Sequence, residues 1–397
     1  MKIAVLSIYP FPNGMAATNR ITAYSKGLVE NDAEVEVITI HPTEPPFNGS
    51  SSEKLPDRGE YNGIKYVHPS GRYRNKYKIL RAIAILTKFR FWRGVVSVAK
   101  ILKSEKFDAV IMSFDDPFTL YIYSKIIKYF KGKTIFIFDE YPIPIRHKLR
   151  NDIPLWKKKA YKFILKSIDG YISISKTLAE YYSQFSQKKY IIIPVIVNNQ
   201  KFRPRHNDKE NWITYIGNME PTKDNIGNIA KAFIKIANSF PEYSLHFFGP
   251  QNNYAIKEIN SIREQSNLMD RIIIEGQIDS DKVPDIINKS KLMVSSQPNT
   301  MRAQGGFPTK LGEYVVMGVP TLICDVGENS KYITNEDCYF VEPDNIESYA
   351  SQMKYILNNY EDALKVARHG RDTIITKYSS ISAGRRIIKF INSLTNE

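Results

Sequence analysis

Apolar residues in this chain come in short unbroken runs, and polar, helix-like stretches separate most of them. In the first half the runs are "KIAVLSI" (2–8), "EVEVITI" (34–40), "IKYVHP" (64–69), "DAVIMSF" (108–114), "KTIFIFD" (133–139), "GYISIS" (170–175) and "KYIIIPV" (189–195). In the second half they are "WITYIG" (212–217), "SLHFFG" (244–249), "RIIIEG" (271–276), "KLMVSS" (291–296), "PTLICDV" (320–326) and "CYFVEP" (338–343). Runs of this length, rich in β-branched and aromatic residues, predict strands, and their continuity predicts parallel sheets covered on both faces. The pattern runs twice, so the expected architecture is α/β, with two doubly wound Rossmann-like domains. The expected domains are 1–200 and 201–378, joined near the polar "NNQKFRPRHND" (198–208), with 379–397 as a C-terminal helix that is a candidate to return to the first domain.

Doubly wound sheets bind ligands beyond the carboxyl ends of their strands, where loops lead into helix starts. Three such loops stand out. In "YPFPNGMAATNR", Asn13-Gly14 is a turn signal before a helix, and Gly14 permits close approach of phosphate or sugar; a plain connecting turn is the alternative. In "YIGNMEPTKDNIGNIAKAF", a strand ends at Gly217, Asn218 follows, and Lys223 precedes a helix start. Lys223 could neutralise a phosphate beside the helix-start amides, or be a solvated loop lysine.

The third loop, "QGGFPTKLGEYVVMGVPTL" (304–322), is the most informative. Gly305 and Gly306 allow close backbone approach to a ligand, and Pro308 is acceptable at a helix start, where its missing N–H is not needed. Phe307, Pro308 and Thr309 then form the entry to a helix, with Arg302 and Gln304 just upstream as candidates for the acceptor or sugar side. Lys310 and Glu313 are three apart and share one face. A lysine beside free amides suits a diphosphate, and a carboxylate one turn deeper suits a sugar hydroxyl, as a pure acceptor. The alternative is an exposed i,i+3 ion pair, which leaves the flanking glycines and proline unexplained. In the first half, Asp139, Glu140 and His147 follow the strand 133–139; one of the three, with Asp139 and His147 first, is a candidate for orienting an acceptor or reacting sugar, against a structural role at a strand end.

Charge adds a second theme. The net charge of the 397-residue chain is +15; residues 1–200 hold 32 Lys and Arg against 17 Asp and Glu, and residues 201–397 hold 24 of each. Between Glu60 and Glu105 there are eleven basic residues and no carboxylate. Such asymmetry points the first half toward a polyanion. "RYRNKYKILRAIAILTKFRFWRG" (72–94) and "HKLRNDIPLWKKKAYKFILKS" (147–167) mix basic with aromatic residues, the composition of an interfacial helix on anionic lipid; buried helices with snorkelling lysines are the alternative. No segment approaches the ~18 uninterrupted apolar residues of a membrane helix. The N-terminus reads as a strand and not as a signal peptide. Cys324 and Cys338 lie in apolar runs, consistent with a reduced cytoplasmic protein. The six histidines show no metal-ligand spacing, so no metal site is expected.

"GFPTKLGEYVVMGVPTLICDVGE" resembles the donor-site segment of GT-B glycosyltransferases, specifically the family 4 retaining enzymes. "YIGNMEPTKDN" is similar to their glycine-to-lysine loop, with Gly217 and Lys223 in register. "DGYISISKTLAEYY", "PVIVNNQKFRP" and the N-terminal "PFPNGMAATNRITAYSKGLVENDAEVEVIT" resemble further segments, so the likeness covers nearly the whole chain. It implies a GT-B fold with two domains facing a central cleft. It also implies retaining transfer of a sugar from a UDP- or GDP-linked donor to a hydroxyl of a lipid-linked or oligosaccharide acceptor in surface polysaccharide assembly. No metal or other cofactor would be required. Lys223 and Lys310 would carry the diphosphate charge, Phe307, Pro308 and Thr309 would contact sugar or phosphate, Glu313 would hold the ribose, and Gly14 would meet the donor. Two positions depart from the family pattern: Asn218 stands where an arginine is usual, and Gly305 stands at the first of two paired glutamates. The expected location is cytoplasmic, peripheral on the inner membrane and in contact with its anionic surface. The rival readings are a nucleotide-sugar epimerase of the same fold and a nucleic-acid-binding protein. Nucleic acid is not the expected partner, because no recognised module is present and the charge excess spares the second half.

Overall fold

The computed structural model describes residues 1–14, 16–46, 55–77, 79, 89–114, 116–147, 152–199, 201–204, 208–220, 223–250 and 252–394. It divides into two units: Met1–Pro144 with Arg150–Ile193 and Ser380–Glu397, and Ile145–Leu149 with Pro194–Ser379.

The first unit is built on β1 (Lys2–Ser7), β2 (Glu34–Thr39), β3 (Arg58–Tyr61), β4 (Ile64–Val67), β5 (Ala109–Ser113), β6 (Lys133–Phe138), β7 (Gly170–Ser173) and β8 (Lys189–Ile192). Their order across the sheet is β3-β4-β2-β1-β5-β6-β7-β8. Strand β1 is central, with Val5 opposite Val37 on one side and Ile111 on the other. It is buried from Ile3 to Ser7, as a strand covered on both faces must be. The β3–β4 pair is antiparallel, and its hairpin turns at Asn62 (φ 52) and Gly63 (φ 79). Two positive φ values in a row make the primed turn that matches strand twist, and Asn-Gly is its preferred sequence. The other pairs are parallel.

The chain's last helix, Ser380–Ser393, lies in this first unit against the helix Ala16–Val29. The crossing is tight because two glycines meet there. A methyl group on Gly27 would lie 1.9 Å from the Ser380 carbonyl oxygen, and one on Gly384 would lie 2.1 Å from that of Gly27. Ser380 Oγ donates to Glu30, and the Asn31 side-chain amide donates to the Ile381 carbonyl.

The second unit has β9 (Glu210–Ile216), β10 (Ser244–Phe248), β11 (Ile272–Gly276), β12 (Ser290–Ser295), β13 (Thr321–Cys324) and β14 (Tyr339–Val341). The order is β11-β10-β9-β12-β13-β14, all parallel. The helix Ile226–Ala237 covers it with Ile226, Ile229, Ala230, Phe233, Ile236 and Ala237 buried. That spacing is one stripe of an α-helix, and it shares a core with Ile213, Tyr215, Leu245 and Phe247 of the strands. Tyr349 ties β12 to β13, its one hydroxyl hydrogen shared between the Ser295 and Leu322 carbonyls. All thirteen apolar runs form strands; β3 is the strand the apolar pattern missed.

Candidate functional site

At the carboxyl end of β9 the chain leaves the sheet through Ile216 and Gly217 and returns at the helix Ile226–Ala237. At the carboxyl end of β12 it runs through the short helix Met301–Gly305 to the helix Thr309–Val316. The two loops are joined by side chains. Lys310 Nζ donates to Asp224 Oδ1 at 2.7 Å and to Tyr215 OH at 3.2 Å, and lies 4.4 Å from the centre of the Tyr215 ring. Tyr314, one turn on, donates its hydroxyl to the Ile216 carbonyl at 2.9 Å and accepts from the Ile216 N–H at 3.1 Å. The tyrosine hydroxyl thus satisfies both backbone groups of the last strand residue, which the sheet leaves open. Arg302 donates to Glu220 at 3.1 Å, a second link between the loops.

The backbone permits this closeness only with glycine in two places. A methyl group on Gly217 would lie 2.3 Å from Tyr215 OH and 2.5 Å from Lys310 Nζ. Gly249, after β10, has φ +147, and a methyl group there would lie 1.7 Å from the Gly217 carbonyl oxygen. Met219 sits at φ 51, a left-handed conformation unfavourable for a bulky side chain; its N–H bonds the Tyr215 hydroxyl.

The electrostatics are lopsided. Burial holds the Lys310 ammonium below the ordinary lysine range, Asp224 pulls the other way, and the neighbouring Lys223 lowers it again. Two ammonium groups therefore feel each other, and Asp224 is already bonded to one of them. Lys223 makes no side-chain hydrogen bond or ion pair among the described residues. Glu313 has its pKa pushed up to about 7 by burial, against the opposite influence of Lys201 and Lys310. Both helices that begin here lack a side-chain cap: neither Asn225 nor Pro308 accepts from the first turn. The helices starting after Thr300, Asn252 and Asn345 are each capped by that side chain, and those after Lys282, Glu328 and Asn359 are not. Unsatisfied amides and the positive end of the helix dipole are what an anion binds. Among the described residues, no group of His, Cys, Asp and Glu could hold a metal ion.

Solved proteins share this architecture along nearly their full length. Sucrose-phosphate synthase from Thermosynechococcus elongatus superposes with a TM-score of 0.74 at 15% identity, covering 99% of this chain and 98% of that one. HepE from Anabaena, solved with UDP, superposes with a TM-score of 0.69 at 11% identity, covering 99% and 100%. TarM superposes with a TM-score of 0.70 at 14% identity, covering 99% of both chains. The chain has the GT-B fold. Within it, residues 197–373 match the family model described as glycosyl transferases group 1. A curated relative, the poly(ribitol-phosphate) alpha-N-acetylglucosaminyltransferase of Staphylococcus aureus, is 24% identical over 245 residues. That match spans 59% of this chain and 47% of the relative, so about half of the relative's length is represented.

On this GT-B frame the residues singled out in the second half assemble in one place: Gly217, Lys223, Arg302, Pro308, Thr309, Lys310 and Glu313 all flank the ends of β9 and β12. Asn218 is exposed beside Gly217, and Gly306 leads into Phe307, which is buried with its ring 6.2 Å from that of Tyr332. The Gln304 side-chain amide donates to Asn299. Gly14 is exposed after β1, where a methyl group would lie 2.1 Å from Thr18 Oγ1. Asp139 belongs to the first unit and His147 to the second. Residues 221–222 of the lysine loop, Met15 of the first loop, residues 78 and 80–88 of the first basic segment and 148–151 of the second lie outside the described residues.

Two sets of residues escaped the sequence reading. Asp224, the buried partner of Lys310, is one; the only signal was a carboxylate directly after Lys223 at a helix start. Arg72 heads the other set. Although it opens the basic segment 72–94, whose composition predicts an interfacial surface, it is fully buried in the first unit. Its guanidinium donates to the Phe11 carbonyl at 2.8 Å and to Glu44 at 2.6 Å, and it stands 5.1 Å from the centre of the Tyr66 ring. His68 also bonds the Phe11 carbonyl, at 3.0 Å. Burial lowers the His68 pKa to about 4, and Arg72 lowers it in the same direction, so the ring is neutral at pH 7. These contacts fix the loop that carries Gly14.

Proposed function

We propose that this protein is a retaining glycosyltransferase that uses a UDP-linked sugar as donor and a hydroxyl of a surface-glycan or polyol-phosphate polymer, carried on lipid or free, as acceptor. The observation that carries the reading is Lys223: an ammonium without a described partner, next to a second lysine, between two uncapped helix starts. That arrangement is built for two or more negative charges close together, which is what a diphosphate brings. The name of the S. aureus relative and the UDP bound to HepE support the choice of donor and acceptor class.

In this reading Lys223 and the free amides at Thr309 and Phe307 hold the diphosphate. Lys310 does its work through Asp224: the ion pair fixes the start of the helix Ile226–Ala237 and thereby the position of Lys223. Glu313 accepts from ribose hydroxyls. The acceptor oxygen bonds to the anomeric carbon on the face from which the diphosphate leaves. The acceptor proton passes to the departing phosphate oxygen, giving glycosylated acceptor and nucleoside diphosphate. Charge builds on the diphosphate as the bond breaks, and preorganised cations and amides stabilise that charge most. Removing one such group typically costs 10²–10³ in rate, about 2.7–4 kcal/mol. We propose that no metal is needed, because lysine and helix-start amides supply the positive charge; activity unchanged in a strong chelator is the expected result.

Calorimetric titration with UDP, GDP, ADP and dTDP tests the reading. Selective binding of UDP is expected, and release of UDP from a UDP-sugar should require an acceptor. Binding of none of the four would overturn it, and conversion of the donor without acceptor or UDP release would indicate an epimerase instead.

A further inference from the structure

The first unit presents a surface that the donor-site reading does not use. It is made by the helices Phe89–Ser104, Pro117–Ile127 and Leu155–Ser167, of 16, 11 and 13 residues. Together they contain ten lysines and arginines and no carboxylate. Among the described residues, three flanking carboxylates are engaged: Asp116 caps its helix through Thr119, Asp152 bonds Lys158, and Glu105 bonds Lys2; Asp115 lies outside the described residues.

The fold places the three helix starts at one edge. Strands β5, β6 and β7 are adjacent and parallel, so the helices connecting them run back and begin at the carboxyl edge of the sheet. The helix Phe89–Ser104 begins there too, since Gly94 packs on the carbonyl of Ile40, just past β2, and Ser70 donates to the Arg90 carbonyl. At that edge, within the first four residues of each helix, large apolar side chains face solvent: Phe89 (63% exposed), Trp92 (46%), Phe118 (39%), Leu155 (68%) and Trp156 (57%). Ring contacts join the first helix to the second at this edge, and the second to the third further along. Phe91 touches Trp92 at 5.3 Å and Phe118 at 5.7 Å, and Tyr121 meets Phe163 at 5.0 Å. Lys157 lies 5.5 Å from the centre of the Trp156 ring.

We propose that this edge is a docking surface for an anionic lipid bilayer. Exposed aromatics among an excess of cations, with Asp116 and Asp152 each bonded to a neighbour within the protein, match the headgroup boundary of such a membrane: rings and Leu155 enter the acyl margin while lysines and arginines meet phosphates. A second copy of the chain is the poorer occupant, since it would bring the same cations against these. Nucleic acid would leave Leu155 and the phenylalanines without an apolar partner. Among the described residues no helix is long and apolar enough to cross a membrane, so the contact is adsorption at the surface. The same edge carries the post-strand loops, so the bilayer would present a lipid-borne acceptor beside them. The docking surface stands on the first unit alone and does not depend on the donor reading.

The test is flotation of the whole protein with phosphatidylcholine vesicles, with and without phosphatidylglycerol, at low and high salt. Binding to the anionic vesicles at low salt is expected, weakened roughly tenfold or more on neutral vesicles or at high salt. The variant Trp92→Ala/Trp156→Ala should fall by a similar factor while keeping its circular dichroism spectrum and nucleotide affinity, because both side chains are exposed. No binding to anionic vesicles would overturn the proposal. So would binding untouched by the double variant, self-association through this face without vesicle binding, or a preference for an RNA oligonucleotide over the vesicles.

Discussion

Lys310 Nζ and Asp224 Oδ1 lie 2.7 Å apart although 86 residues separate them in the chain. The pair is almost closed to solvent, with the carboxylate side chain 2% exposed. It links the helix Thr309–Val316 to the residue directly after Lys223. The lysine that looks most like a phosphate ligand is thus held inside the protein, and its neighbour is left with the open charge.

Breaking that pair should damage the fold of the second unit. Asp224→Asn leaves a buried ammonium without its counter-charge, a change that typically costs about 3–5 kcal/mol. Asp224→Asn combined with Lys310→Met removes both charges and should recover part of the loss. Denaturant unfolding of these two variants and of Lys310→Met alone, read with the wild type as a double-mutant cycle, checks this; strictly additive effects would contradict the coupling.

Glu313 gives a pH signature. Its folded pKa of about 7 lies above its ordinary value near 4.5, so between these values the native state holds the proton more strongly than the unfolded chain. Stability therefore falls as pH rises through that window. Glu313→Gln should flatten the slope between about pH 4.5 and 7 in thermal unfolding. If the carboxylate accepts from ribose hydroxyls, UDP affinity in the wild type should also change across pH 7 and lose that dependence in the variant.

The glycines of the loops make a graded prediction. Gly217→Ala puts a methyl group 2.3 Å from the hydroxyl of the buried Tyr215 and 2.5 Å from the ammonium of Lys310, side chains and not backbone. It should weaken UDP binding by roughly tenfold, by shifting Lys310 and Asp224, and cost less stability than a clash with backbone. Gly249→Ala meets backbone at 1.7 Å in a conformation of φ +147. It should cost stability on the order of 3 kcal/mol or more. Melting curves and titrations on both variants separate the two effects.

The helix crossing in the first unit gives an independent check of packing. Gly27→Val should separate the helices Ala16–Val29 and Ser380–Ser393, because even a methyl group there would lie 1.9 Å from the Ser380 carbonyl oxygen. Faster hydrogen exchange in 380–393, with little change in the second sheet, is the expected readout.

The fold was legible because doubly wound sheets are written as continuous apolar runs, and the runs "KIAVLSI", "EVEVITI" and "WITYIG" each became a strand. The first unit's β3 was not, since "RGEY" is polar and edge-exposed; its real signal was the Asn62-Gly63 turn. The candidate site was legible as loop chemistry: glycine, lysine and proline sit where strands give way to helices. Its inner wiring was not. Nothing local distinguishes the buried Asp224 from a solvated carboxylate, because its partner lies on another strand's loop. The basic segment 72–94 shows the same limit: composition marks it as a surface, yet Arg72 is buried against Glu44 and the Phe11 carbonyl, while Phe89 and Trp92 are exposed.

The most direct test of the central claim is the UDP affinity of Lys223→Ala beside that of the wild type, measured by calorimetry at pH 7 with circular dichroism to confirm folding. Loss of one charge-assisted contact to phosphate should weaken binding by roughly tenfold or more, about 1.5–3 kcal/mol. A folded Lys223→Ala protein that binds UDP as tightly as the wild type would contradict the account.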